Sequence, residues 1–273
     1  MDSAYCTSVN RVYDAAEFAR LAPHALEQNR RALRCNSCGA EAFFRSASTS
    51  GRGPCFGARP HVPDCPEATV DAGTWGIGGT DVTEPIFNDA GQIIIDLPRP
   101  DREPGEADVG GAEYRRRGAG RLYGGDGGVG TNATRRRLTT LLRRLTTEPH
   151  FQSYDTVIRP PDDHPPTTVR EFFVPFENAR VRALGQYKGL WGLITDASYG
   201  TEGALWLNTG DRSSISFVVS AELVPDFLAR WDLADTESIA GAQALILATP
   251  RRSQNGKLFA PIGDLRHVVL DVA

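Results

Sequence analysis

The chain has 273 residues, 40% of them hydrophobic, which is enough to bury a real core in one large domain or two smaller ones; two are expected. A net charge of −4 excludes a global electrostatic pull toward nucleic acid or membrane, so any polyanion site must be a local patch. No run of about 18 apolar residues occurs and residues 1–6 lack a basic segment ahead of an apolar one, so a soluble, cytoplasmic protein without a membrane partner is expected.

In chain order, Asp14 reads as the N-cap of a helix over 15–21, with Glu17 completing a capping box and Phe18 and Leu21 on the apolar face. Pro23 should end or kink it. A second short helix over 24–31 leads to a strand near Leu33, and 42–45 reads as a return strand. Between and after these strands lie Cys35-Asn36-Ser37-Cys38-Gly39 and His61-Val62-Pro63-Asp64-Cys65, a C-x2-C-x22-H-x3-C pattern. Cys35, Cys38, His61 and Cys65 are the donor types and spacing of one structural zinc, and four filled positions leave none for substrate. Cys55 is an alternative third ligand in place of His61, which has the better spacing to Cys65. A disulfide framework is the competing reading; an odd total of five cysteines and the histidine in register weigh against it.

The run Leu33-Arg34-Cys35-Asn36-Ser37-Cys38-Gly39, the aromatic segment Phe43-Phe44-Arg45 and Phe56-Gly57-Ala58-Arg59-Pro60-His61 together resemble the zinc-binding N-terminal module of CoiA-type competence proteins. The resemblance spans residues 25–66. It implies a zinc knuckle beside a nuclease-like domain. No acidic-Glu-x-Lys core follows in this chain, so the family's nuclease activity is not carried over.

Farther on, Ile86-Phe87 and 92–97 flank the turn Asn88-Asp89-Ala90-Gly91 and read as a hairpin. From 99 to 130 glycine, aspartate, glutamate and arginine dominate, the composition of a linker. Its glycine run 124–130 lacks the Gly-Lys-Ser/Thr of a phosphate loop. Thr131 or Asn132 should cap a helix with Leu138, Leu141, Leu142 and Leu145 on one face and Arg135, Arg136, Arg137, Arg143 and Arg144 on the other. Residues 111–147 hold nine arginines against Glu113 and Asp126, the strongest basic stretch and a candidate phosphate contact; a solvated helix face is the plainer alternative.

After a proline-rich break at 160–166 the pattern turns to β. Strands are expected over 180–185, 189–194, 203–208, 214–219, 242–248, 258–261 and 267–272, with a helix over 221–231 and a closing hairpin at 253–256. That order resembles an OB-fold. Tyr187, Lys188, Trp191, Trp206, Arg251, Arg252, Lys257 and Phe259 are its candidate stacking and phosphate-neutralising groups, although residues 178–273 carry nine basic side chains against ten acidic ones.

The reading is an α+β protein: a zinc-binding module over 1–98, a linker over 99–130, a helical connector over 131–176 and an OB-like barrel over 177–273. The expected function is non-catalytic binding of nucleic acid, single strands favoured, as an accessory in a bacterial DNA-processing, mobile-element or defence system. A protein-interaction adaptor with a purely structural zinc is the alternative, and a cryptic nuclease or other hydrolase the third. No nucleophile elbow or His-Glu-x-x-His helix supports an enzyme.

Overall fold

The structure, a computed structural model, describes residues 1, 3–47, 53–62, 65–67, 91–98, 133–148, 150–233 and 235–272. The expected linker over 99–130, its glycine run, the strand at Ile86-Phe87 and the caps Thr131 and Asn132 lie outside them. The described residues form a mixed α/β protein with four sheets and short helices.

The first sheet holds β1 (Ser3–Cys6), β2 (Arg11–Asp14), β3 (Leu33–Cys35), β4 (Glu41–Arg45) and β5 (Cys55–Ala58) in the order β2-β1-β3-β4-β5, all antiparallel. Asp14 caps α1 (Ala15–Ala19) as expected, accepting from the amides of Ala16 and Glu17. Pro23 does not kink this helix. It opens α2 (Pro23–Asn29) at the first helical position, where its missing N–H costs nothing. Phe18, Phe44 and Phe56 meet with ring centroids 4.9–5.4 Å apart and form the small core under this sheet.

The second sheet holds β6 (Gln92–Asp96), β7 (Ala133–Arg137), β8 (Val157–Arg159) and β9 (Thr167–Thr168) in the order β7-β6-β8-β9. Residues 133–137 were expected at the start of a helix. Instead they pair in parallel along all of β6, and α3 (Leu138–Thr147) starts only after Arg137. The helix expectation followed the leucines, which are indeed all buried. It missed that Ile93 and Ile95 offer a buried strand for the preceding segment to pair with.

The remaining elements are α4 (Val169–Phe172), β10 (Phe173–Pro175), α5 (Ala179–Arg182), β11 (Lys188–Leu193), β12 (Asp196–Tyr199), β13 (Leu205–Asn208), β14 (Ser216–Val219), α6 (Val224–Arg230), β15 (Gln243–Ala248), β16 (Arg251–Arg252), β17 (Leu258–Ile262) and β18 (Val268–Asp271). The strand expected over 180–185 is absent, because Ala179 and Ala183 turn inward one helical turn apart. Six of the other expected strands fall within two residues of their observed bounds.

They build an inner sheet, β10-β11-β15-β18, and an outer sheet, β12-β13-β14-β17-β16. One large core lies between them, with Leu190 and Ile246 from the inner sheet against Leu207, Phe217 and Ala260 from the outer. The far face of the inner sheet, through Leu245, Leu247 and Val269, packs on α3, β6 and β8 as a second core.

The first sheet joins the outer sheet through charge. Asp196, 1% exposed, has Arg30 Nε 3.2 Å from its Oδ1, while its Oδ2 accepts from Arg31 Nε at 3.0 Å and Asn208 Nδ2 at 3.1 Å. Arg30 also grips Glu237 with two bonds of 3.0 and 2.8 Å. Removing one partner strands a buried charge, so Arg30→Ala should cost on the order of 3 kcal/mol in urea unfolding. Glu237→Ala, at a more exposed carboxylate, should cost visibly less.

A second test concerns Glu41 at this junction. Burial, reinforced by Glu177 and Asp211 and opposed by Arg34, pushes its carboxyl from 4.5 up to about 7. The fold thus favours the protonated form, so this stabilisation is full below 4.5 and is lost as pH rises through about 7. Glu41→Gln should flatten that decline and raise stability at pH 8 by about 1–3 kcal/mol, read from denaturation midpoints across pH.

Candidate metal centre and binding face

Cys35 ends β3, and the chain turns back through Cys38. The amide of Gly39 donates to Cys35 O at 2.9 Å and the amide of Cys35 to Ala40 O at 2.8 Å. Gly39 sits at φ +71°, which is why a glycine serves there. His61 follows β5, and Cys65 closes a turn by donating from its amide to Val62 O at 3.1 Å.

The four donor atoms lie within 4.8 Å of one another. Cys35 Sγ and Cys65 Sγ are 3.9 Å apart, and Cys38 Sγ is 3.5 Å from His61 Nδ1. Tetrahedral coordination at ordinary zinc bond lengths requires separations of about 3.8 Å between sulfurs and about 3.5 Å from sulfur to nitrogen. The arrangement therefore fits a metal ion. Cys55 is not in the group; it sits on β5, in register with Arg45.

Electrostatics favour the same conclusion. Burial works against a Cys38 thiolate, yet the backbone at Val62 and Ala40 and the side chains of His61 and Cys35 hydrogen-bond with it and bring its pKa down to about 6. Burial pushes the Cys65 thiol up, and the neighbouring Cys38 and Cys35 sulfurs push the same way. Three sulfurs so close repel one another as thiolates unless a cation sits among them.

The candidate nucleic-acid residues do not gather in one place. Arg135 is exposed on β7 and lies 3.6 Å from Asp96, and Arg136 is buried. Arg143 is exposed on α3, while Arg144 pairs with Glu148 at 2.9 Å and covers the Phe151 ring at 4.0 Å. Tyr187, Lys188 and Trp191 lie at the inner sheet, where both aromatics pack on the second core and Lys188 Nζ donates to Glu171 O at 2.8 Å.

Trp206 and Arg251 belong to the outer sheet. Trp206 stands in register with Ser198 and Val218, Val218 with Pro261, and Phe259 with Arg251. Leu205, Leu207, Phe217, Ala260 and Ile262 alternate with these positions and point into the core, so Trp206, Phe259 and Arg251 share the sheet's outward face. Trp206 and Phe259 have ring centroids 6.3 Å apart. Arg252 is exposed on the same edge strand.

No protein-family model and no curated protein matches the chain. Among solved structures it is similar to a protein described as an aspartyl-tRNA synthetase from Leishmania major Friedlin, at 11% identity and a TM-score of 0.26. The match covers 37% of this chain and 20% of that one. A likeness at that level carries no weight for fold or function, which rest on the residues themselves.

If the four-donor set organises the first sheet, Cys38→Ser should lower metal content and abolish the cooperative unfolding of this region, read by hydrogen exchange at 33–45. Cys55→Ser should leave metal content unchanged. The bound metal should also be released on acidification, as protons compete for the thiolates and imidazole.

Proposed function

We propose that this chain is a zinc-stabilised, non-catalytic nucleic-acid-binding protein whose C-terminal strands act as an OB-like barrel for a single strand. Three thiolates and one imidazole gathered within 4.8 Å suit zinc above harder cations, and four protein ligands make the ion a staple.

The observation that carries the binding reading is the outward face of the outer sheet. There Trp206 and Phe259 present ring surface beside Arg251, the combination that stacks bases and neutralises a backbone. Phosphate contacts beyond that face would come from exposed cations such as Arg143 on α3.

Anisotropy titration of labelled single-stranded and duplex oligonucleotides across salt tests this. The single strand should bind more tightly, with a steep salt slope. Trp206→Ala should cost roughly 1–3 kcal/mol of affinity with little change in slope, whereas Arg143→Ala should lower the slope by about one. One equivalent of zinc per chain should accompany the active protein. Absence of binding at every salt concentration would leave the protein-interaction adaptor as the better reading.

A further inference from the structure

The second sheet keeps one face in the second core and turns the other outward. Ile93 and Ile95 of β6, Arg136 of β7 and Ile158 of β8 are buried, and the three isoleucines belong to the core that also holds Leu245, Leu247 and Val269 of the inner sheet. Side chains alternate along a strand, so Ile94, Asp96, Arg135, Arg137, Val157 and Arg159 share the opposite face.

Register sets the spacing on that face. Ile94 stands beside Arg135 on one side and Arg159 on the other, which puts these two arginines two strand spacings, about 10 Å, apart. Arg137 follows Arg135 by two residues, about 7 Å along β7 and inside the roughly 8 Å over which physiological salt screens charge. All three arginines are exposed. The four strands hold a single carboxylate, Asp96, and it lies 3.6 Å from Arg135. Arg137 and Arg159 have no ion pair among the described residues. Like charges crowded on one face oppose folding, and a bound polyanion relieves that repulsion.

The same face selects the kind of polyanion. No aromatic side chain stands on it among the described strand residues, so an unpaired base finds nothing to stack on. A duplex keeps its bases stacked inside and presents about one phosphate charge per 1.7 Å of its axis. An arginine-bearing sheet without rings therefore matches what a duplex shows and lacks what a single strand needs.

We propose that the outward face of the second sheet binds the phosphate backbone of duplex nucleic acid through Arg135, Arg137 and Arg159. The two cores and the inner sheet separate it from the face with Trp206, so both faces can be occupied together. The assignment goes beyond the single-strand reading and does not depend on it.

The test titrates a labelled DNA duplex of about two helical turns with the full chain across salt, read by anisotropy, beside a thymidine strand. Wild type should bind the duplex. Arg137→Gln with Arg159→Gln should lower the duplex salt slope by about two, one for each lost phosphate contact, with the thermal midpoint equal or higher. Lysine at both positions should restore the slope, since the charge returns. Arg20→Gln with Arg180→Gln removes the same charge from exposed positions on other elements and should leave the duplex slope as it was. The Arg137 and Arg159 variant should bind the thymidine strand like wild type. No duplex binding by wild type, an unchanged slope in that variant, or an equal fall in the Arg20 and Arg180 variant overturns the proposal. A matching loss on the thymidine strand makes these arginines part of a single-strand path and overturns it too. Displacement of the duplex by polyglutamate at equal charge shows a surface for acidic chains and has the same effect. If the thymidine strand fails to bind while the duplex results hold, the single-strand reading alone falls.

Discussion

Asp196 carries a charge that no folded protein tolerates alone at 1% exposure, and the placement of the N-terminal region follows from its neutralisation. Arg30 and Arg31 both reach it, and Arg30 continues to Glu237 and donates to Phe44 O at 3.2 Å. The guanidinium groups come from the turn after α2 and the carboxylates from distant parts of the chain, so the cluster forms only when both regions have folded. In register with Asp196 across the outer sheet stand Asn208 and Ser216, both buried, and Ser216 Oγ pairs with Asn208 Oδ1 at 2.8 Å. The N-terminal region thus covers the row of the outward face that holds Asp196, Asn208 and Ser216, while Trp206, in the neighbouring row, is half-buried among the described residues.

A second contact fixes the same junction sterically. Phe43 lies so close to Gly57 and Gly241 that a Cβ on either would stand 2.3 Å from its ring, and Gly241 holds φ +89° besides. Leu193 and Ala240 complete this small cluster, while Arg45 Nε donates to Ala240 O at 2.9 Å and Gln243 Nε2 to Arg59 O at 2.8 Å. Charge sets which surfaces meet; the ring and its two glycines set how closely. The metal ligands lie at the end of β3 and in the segments that follow β3 and β5, so coordination and docking share a scaffold.

What the sequence made legible was local. The cysteine and histidine spacing reports a chain that must double back on itself, and the leucines at i, i+3, i+4 and i+7 report one buried helical stripe. Residues 133–137 carried no such mark, because Ala-Thr-Arg-Arg-Arg has neither alternation nor apolar content; a parallel neighbour made them a strand. Arg136 could not be recognised as buried for the same reason. The pairing of Arg30 with Asp196, and the meeting of Asp162, Tyr187 and His267, join segments whose separations leave no periodic trace. Tyr187, Lys188 and Trp191 read as one platform with Trp206 because all lie in β-rich sequence, but the chain divides that sequence between two sheets.

Strand β15 has no solvent face at all, since every residue from Gln243 to Ala248 is buried. Ala244, Ile246 and Ala248 face the large core, and Leu245 and Leu247 face the second one. Side chains alternate with period two, so even and odd positions along this strand answer to different halves of the molecule. A register slip of one residue would turn Leu245 and Leu247 toward the large core and Ala244, Ile246 and Ala248 toward the second, changing the fit in two close-packed interiors at once. The strand is therefore held in register from both faces, by packing as well as by its ladder of hydrogen bonds to β11 and β18.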